Sequence, residues 1–180
     1  MKRILILLGA VSIILTSCGN TAKYYAANGV ELNIDMSDYS ENAKLLTADD
    51  IYLLSYNCGY ISGNPPVMMI VENQDQLDYA GERYGLALPP EGLSKYPISD
   101  YSYVIEYVEV GSGGYDLRVG ALLVDYDILH FVRTADSKTP DPESVQPAVM
   151  DGFCYMAAVP KGTLMNEHYD GWTYPDKDDM

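Results

Sequence analysis

Residues 101–133 read YSYVIEYVEVGSGGYDLRVGALLVDYDILHFVR, and they form the predicted centre of the fold of the 180-residue chain. Residues 101–110 are rich in Tyr, Val and Ile, which favour strands. After the glycine-rich residues 111–114, apolar and polar residues alternate, which predicts one face formed by Tyr115, Leu117, Val119 and Ala121. Two strand-like runs joined by glycines predict a β-hairpin, and a turn near Asp125-Tyr126-Asp127 predicts a further strand at residues 128–133.

Other parts of the chain add strands and a helix to this centre. Residues 51–56, the apolar run 67–71 and residues 153–159 are strand candidates. Between them, Asn73 with Gln76 three residues later forms a capping-box pattern that predicts a helix ending at Gly85. The sequence therefore predicts a mainly β protein with one or two short helices, folded as a compact antiparallel β-sandwich or a barrel-like domain.

The N-terminus has the pattern of a bacterial lipoprotein signal. Lys2 and Arg3 precede an apolar run, and Leu15-Thr16-Ser17-Cys18 matches a lipobox in which Cys18 takes the lipid. The run is too short for the ~20 residues that span a bilayer. An ordinary secretory signal with a chance Cys, or a short anchor helix, is the alternative interpretation. We expect a protein held outside the cytoplasm, at the cell membrane or cell surface, by lipid on Cys18.

The predicted domain organisation follows from composition and charge. Residues 1–17 are the expected signal peptide, 18–48 a tether, 49–165 a single β-rich domain and 166–180 an acidic tail. Within the tail, residues 171–175 (GWTYP) could contact a sugar or a partner, or could pin the tail to the domain. The net charge of −15 disfavours binding to nucleic acid, because such a surface repels phosphate groups.

Residues that could carry catalysis are few. His130 and His168 are the two histidines, and Asp125 with Asp127 forms the carboxylate pair that a hydrolase of cell-surface material could use. Neither a catalytic motif nor a cofactor or metal motif is present, so we expect no enzymatic activity. Cys58 and Cys154 are compatible with a disulfide or with two buried thiols. The 17 tyrosines suit either the outer faces of sheets or a surface for a protein or glycan partner.

The second half of the chain resembles the C-terminal domain of the protease complex subunit PrcB family over residues 67–162. The shared features are the Gly113-Gly114-Tyr115 turn after an alternating strand, two further strands, and a last strand ending in Val159-Pro160-Lys161. The resemblance implies a non-catalytic β-rich domain of secreted lipoproteins that supports a partner such as a surface protease.

Gly113, Gly114 and Tyr115 are the candidate binding residues of this domain. The loop at residues 111–114 also resembles a binding loop of chagasin-type cysteine-protease inhibitors, which makes protease inhibition an alternative function.

Overall fold

The computed structural model describes residues 22–25, 31–58, 67–84, 95–111, 115–137, 150–164, 166 and 168–175. Within these ranges lie nine strands and one α-helix, together with a 3₁₀ turn at Met36–Asp38. The elements are β1 (Ala22–Tyr25), β2 (Glu31–Ile34), β3 (Lys44–Thr47), β4 (Tyr52–Asn57), β5 (Val67–Val71), α1 (Gln74–Tyr84), β6 (Tyr101–Gly111), β7 (Tyr115–Asp125), β8 (Ile128–Ser137) and β9 (Met150–Pro160).

Two antiparallel sheets face each other and form a sandwich. One sheet has three strands in the order β3-β7-β8, and the other has four in the order β4-β9-β6-β5. Buried side chains from both sheets, including Leu122, Phe131, Val104 and Ala157, form the core between them. The predicted mainly β sandwich is therefore confirmed, as are the strands predicted at residues 51–56, 67–71 and 153–159.

Helix α1 covers the second face of the four-stranded sheet. Leu77 and Ala80 pack against Met69, Ile105 and Met156 in a second buried cluster. The predicted helix start is confirmed, because the Asn73 side chain accepts a hydrogen bond from the Gln76 backbone N–H at 3.0 Å. The central part of this sheet is thus buried on both faces, which explains the apolar run at residues 153–159 of β9.

The predicted hairpin between residues 101–110 and 115–121 is wrong. Strand β6 pairs with β5 and β9, whereas β7 pairs with β3 and β8, so the two strands belong to different sheets. The glycine-rich connection therefore crosses from one sheet to the other. Glycines allow a tight change of direction, but they do not determine which strand becomes the hydrogen-bonded neighbour.

The predicted face of β7 is also wrong beyond Val119. A bulge at Gly120 shifts the register against β8, so that Val119, Leu122 and Val124 point into the core. Ala121 consequently lies on the outer face. There the β1–β2 pair contributes Leu32, whose Cδ2 would lie 2.6 Å from any Cβ placed at Gly120. Any larger residue at that position would force the buried Leu32 side chain to shift, so the packing favours glycine there.

Segments assigned above to the tether and to the tail take part in the packing. Strand β3 is hydrogen-bonded to β7. At the other end, Thr173 exchanges backbone hydrogen bonds with Met68 and Ile70 and forms a parallel bridge at the edge of β5. Trp172 is 3% exposed, and its Nε1 donates to the Leu129 carbonyl at 2.7 Å. Of the alternatives predicted for residues 171–175, the structure therefore shows the one in which the tail packs on the domain.

Cys58 and Cys154 are present as thiols on the helix-covered face of the sheet. Cys154 lies opposite Tyr56, and the Cys58 N–H bonds to Gly152, so the two cysteines are offset by two residues on neighbouring strands. Such diagonal pairs are about 7–8 Å apart between Cα atoms, beyond the usual disulfide range. Cys154 is buried as predicted, whereas Cys58 is only half-buried.

Replacing Trp172 by Ala should destabilise the domain strongly. Emptying a buried Trp site costs about 3–5 kcal/mol, which corresponds to a fall in Tm of about 10 °C. Trp172→Phe should lower the Tm less, and His168→Ala, at an exposed site in the same segment, should change the free energy of unfolding by under about 0.5 kcal/mol. Thermal unfolding followed by circular dichroism measures all three. An unchanged Tm for Trp172→Ala would contradict the burial of the tail.

Candidate functional site

The residues predicted to contact a partner lie mostly outside the described ranges. This applies to Cys18, Gly113 and Gly114, while Tyr115 is described by its backbone alone, which pairs with Ser137. The best-defined surface feature lies at the other end of β7, where the chain turns into β8. Ten residues of strand separate the two ends of β7 by about 33 Å.

This feature is the Tyr126 turn, residues 125–128, which confirms the turn predicted there. Tyr126 has a φ of 38°, and among the described residues it is the one non-glycine with positive φ. This backbone conformation favours Gly or Asn, so a tyrosine there is unusual. The Tyr126 side chain is 64% exposed. Ile128 is 41% exposed, and these two are the exposed large hydrophobic residues of the described surface.

Two distant parts of the chain hold the Tyr126 turn through three hydrogen bonds. The Asn42 amide donates a hydrogen bond to the Tyr126 hydroxyl at 3.3 Å. The Asn166 amide donates to the Tyr126 carbonyl, and the Asp170 N–H donates to the Asp127 carbonyl at 2.8 Å. These contacts fix both the backbone and the ring, so the exposed aromatic group is held in one orientation.

Asp125 and Asp127, the predicted carboxylate pair, occupy different environments. Asp125 is 5% exposed, and its two carboxylate oxygens accept hydrogen bonds from the Ser40 backbone N–H and from the Ser40 hydroxyl. Asp127 is exposed. Asp125 therefore anchors the N-terminal segment to the turn, which is a structural task.

The predicted histidines are separated in the structure. His130 lies on the outer face of β8 with its ring centroid 6.0 Å from that of Tyr39. Burial, and to a smaller extent the Arg133 charge, lowers the pKa of His130, so the ring is neutral at physiological pH. His168 is exposed in the C-terminal segment.

A polar cluster joins the two sheets, with the Glu106 side chain 10% exposed and that of Arg133 35% exposed. Arg133 Nη2 on β8 donates to Glu106 Oε1 on β6 at 3.0 Å and links the two sheets. The Arg133 guanidinium also lies 5.4 Å from the centre of the Tyr155 ring. Glu106 Oε2 and the Tyr155 hydroxyl are buried without a hydrogen-bond partner of good geometry. Desolvation raises the pKa of Glu106 despite the opposing Arg133 charge, and it raises the pKa of Tyr155 to about 12.

The described residues meet the requirements of neither a metal site nor a membrane-spanning helix. In those ranges, His, Cys, Asp and Glu side chains do not gather into a group of three or more that could hold a metal ion. Across the same part of the chain, no helix is both long and apolar enough to span a membrane.

Comparison with known proteins gives no relative: no family model, curated protein or solved structure matches this chain. The sequence Asp125-Tyr126-Asp127 predicts the turn, but it does not indicate that Tyr126 is exposed at positive φ, because both properties depend on tertiary contacts.

Glu106→Gln should remove one component of the pH dependence of stability. The pKa of the Glu106 carboxyl is higher in the folded protein than in the unfolded chain. As pH rises, the unfolded chain therefore loses the Glu106 proton before the folded protein does. The free energy of unfolding consequently falls as pH rises from about 4.5 through the folded-state pKa. The Gln variant lacks this loss and should be more stable at neutral pH, by on the order of 1 kcal/mol.

Urea unfolding of the wild type and the variant from pH 4 to 8 measures the difference. Glu109→Gln, on the same strand, removes the same charge and serves as the control. If the Glu106 variant were the less stable protein at neutral pH, the ion pair would outweigh desolvation, contrary to our expectation.

Proposed function

We propose that this protein is a lipid-anchored, extracytoplasmic β domain without catalytic activity that binds or stabilises another cell-surface protein. The observation that carries the proposal is the exposed Tyr126, held in a left-handed backbone conformation by three hydrogen bonds from two segments. Such strain persists only where the surrounding structure maintains it, and it concentrates at functional sites.

The physical properties of the Tyr126 turn suit a protein contact. Tyrosine offers a large, amphipathic ring with few rotatable bonds and is enriched among the residues that dominate binding energy. Because Asn42, Asn166 and Asp170 already fix the turn, little conformational entropy remains to be lost on binding. Ile128 extends the apolar contact beside the ring.

Anchoring through Cys18 is compatible with the position of β1 and with the negative charge of the chain. Strand β1 begins at Ala22, so the lipid would be joined to β1 by a short connection. The net charge of −15 becomes more negative by two when Lys2 and Arg3 leave with the signal peptide. An acidic domain is repelled by anionic headgroups, so the lipid alone would hold it at the membrane.

The resemblance to the PrcB family supports the same class of function, because that family is non-catalytic and works on a partner protein. A contact through the Gly113-Gly114-Tyr115 segment would lie at the opposite end of β7 from Tyr126. The two ends of the sandwich are therefore separate candidate surfaces.

The lipid on Cys18 can be tested by metabolic labelling. Cells that express the full chain and are fed a clickable fatty acid should label the wild type, and Cys18→Ser should abolish the label. Lys23→Ser, a few residues further on, should label as the wild type does. Retained label in the Cys18 variant would contradict lipid anchoring.

The partner can be tested by site-specific photo-crosslinking on intact cells. A photoreactive phenylalanine analogue at position 126 or 128 should give a discrete adduct with one cell-surface protein. The same analogue at position 82, an exposed site on helix α1, should not give that adduct. Absence of any adduct from positions 126, 128 and 115 would contradict the proposed function.

A further inference from the structure

Three exposed acidic residues, Glu41, Asp127 and Asp170, belong to the Tyr126 turn or to the segments that hold it. Asp127 belongs to the turn itself, and the backbone of Asp170 is hydrogen-bonded to it. Glu41 precedes Asn42, whose amide contacts the Tyr126 hydroxyl. All three residues are exposed, unlike the fourth nearby acid, Asp125, which is buried against Ser40. The ring therefore stands in a locally negative environment.

Lys44, at the start of β3, is an exposed cation and pairs with Val124, the residue before the turn. One exposed lysine does not balance three exposed carboxylates, and the chain as a whole carries a charge of −15. An acidic or phosphate-bearing partner would be repelled, whereas a basic one would be attracted. The negative charge of the site thus favours a positively charged partner.

We propose that the Tyr126 turn binds an arginine-bearing, basic segment of the partner protein, an inference that rests on the proposed function. A guanidinium group can stack over the exposed ring and donate in its own plane to Asp127 or Asp170. Arginine suits this arrangement better than lysine, because its planar cation is weakly hydrated and stacks on aromatic faces. The strained turn supplies the ring, and the three carboxylates supply the charge.

Fluorescein-labelled peptides of alternating glycine and arginine, lysine or glutamine provide the probe. The full-length protein in a non-ionic detergent should bind the arginine peptide most tightly, then the lysine peptide, and the glutamine peptide least, by fluorescence anisotropy at low salt. Tyr126→Ala should weaken arginine-peptide binding about two- to fivefold, the range for exposed cation–π contacts. Tyr126→Phe keeps the ring and should retain the affinity.

A matched pair of charge variants separates this site from general attraction. Glu41→Gln with Asp127→Asn and Asp170→Asn should weaken arginine-peptide binding at least about threefold, since each exposed ion pair contributes a little. Glu72→Gln with Asp75→Asn and Glu82→Gln removes the same charge around helix α1. This control set should weaken binding by less than about twofold, because distant exposed charges are screened.

Equal losses in the two charge sets, or equal affinity for the arginine and glutamine peptides, would overturn the arginine-binding inference. Neither result depends on the photo-crosslinked adduct at position 126, which reports a partner of any charge. An adduct without arginine preference would leave the proposed function in place and reject the basic segment alone. Amide shifts confined to residues 125–128 on adding the arginine peptide would support the inference.

Discussion

Strand β9 is hydrogen-bonded on both sides, and the other elements are arranged around it. This strand lies between β4 and β6, and its residues 152–159 are all buried. A strand buried on both faces needs two covering layers. The β3-β7-β8 sheet supplies one and helix α1 the other, and the C-terminal segment seals the edge of β5 with Trp172 in the core between the sheets. Segments that lie far from the central strands in sequence are therefore part of the fold.

Local signals in the sequence predicted the elements, and long-range contacts determined their arrangement. Asn73 and Gln76 located the helix start because capping is a contact within one turn. The partner of β6 could not be predicted, since Gly111 to Gly114 permits both a hairpin and a crossing between sheets. The bulge at Gly120 lies where Leu32, far away in sequence, packs against the strand, so local sequence carries no signal for it. The burial of Trp172 likewise depends on Leu129 and the opposite sheet.

The Tyr126 turn and the burial of the tail are parts of one arrangement. Trp172 is fixed in the core, and Asp170, two residues earlier, is thereby placed where its N–H reaches the Asp127 carbonyl. Asp125 binds Ser40 on the other side and brings Asn42 to the Tyr126 hydroxyl. The unfavourable φ of Tyr126 is offset by these contacts. An exposed aromatic residue in this conformation is thus a product of the tertiary structure, and sequence patterns carry little information about it.

The Glu106–Arg133 pair contrasts with the turn, because the burial of Glu106 makes the pair a poor source of stability. Desolvation opposes the attraction between the charges, and the unpartnered Glu106 Oε2 and Tyr155 hydroxyl add a further cost. A hydrogen bond from β8 to β6 nevertheless joins one sheet to the other at a defined position. Apolar side chains can pack with the two sheets in several relative positions, whereas the Arg133–Glu106 bond forms in one. Sliding either sheet by two residues would leave the buried Glu106 carboxylate without its partner. We infer that the pair fixes how the sheets are aligned, and that this alignment keeps the turn at the end of β7 in register with the segments that hold it.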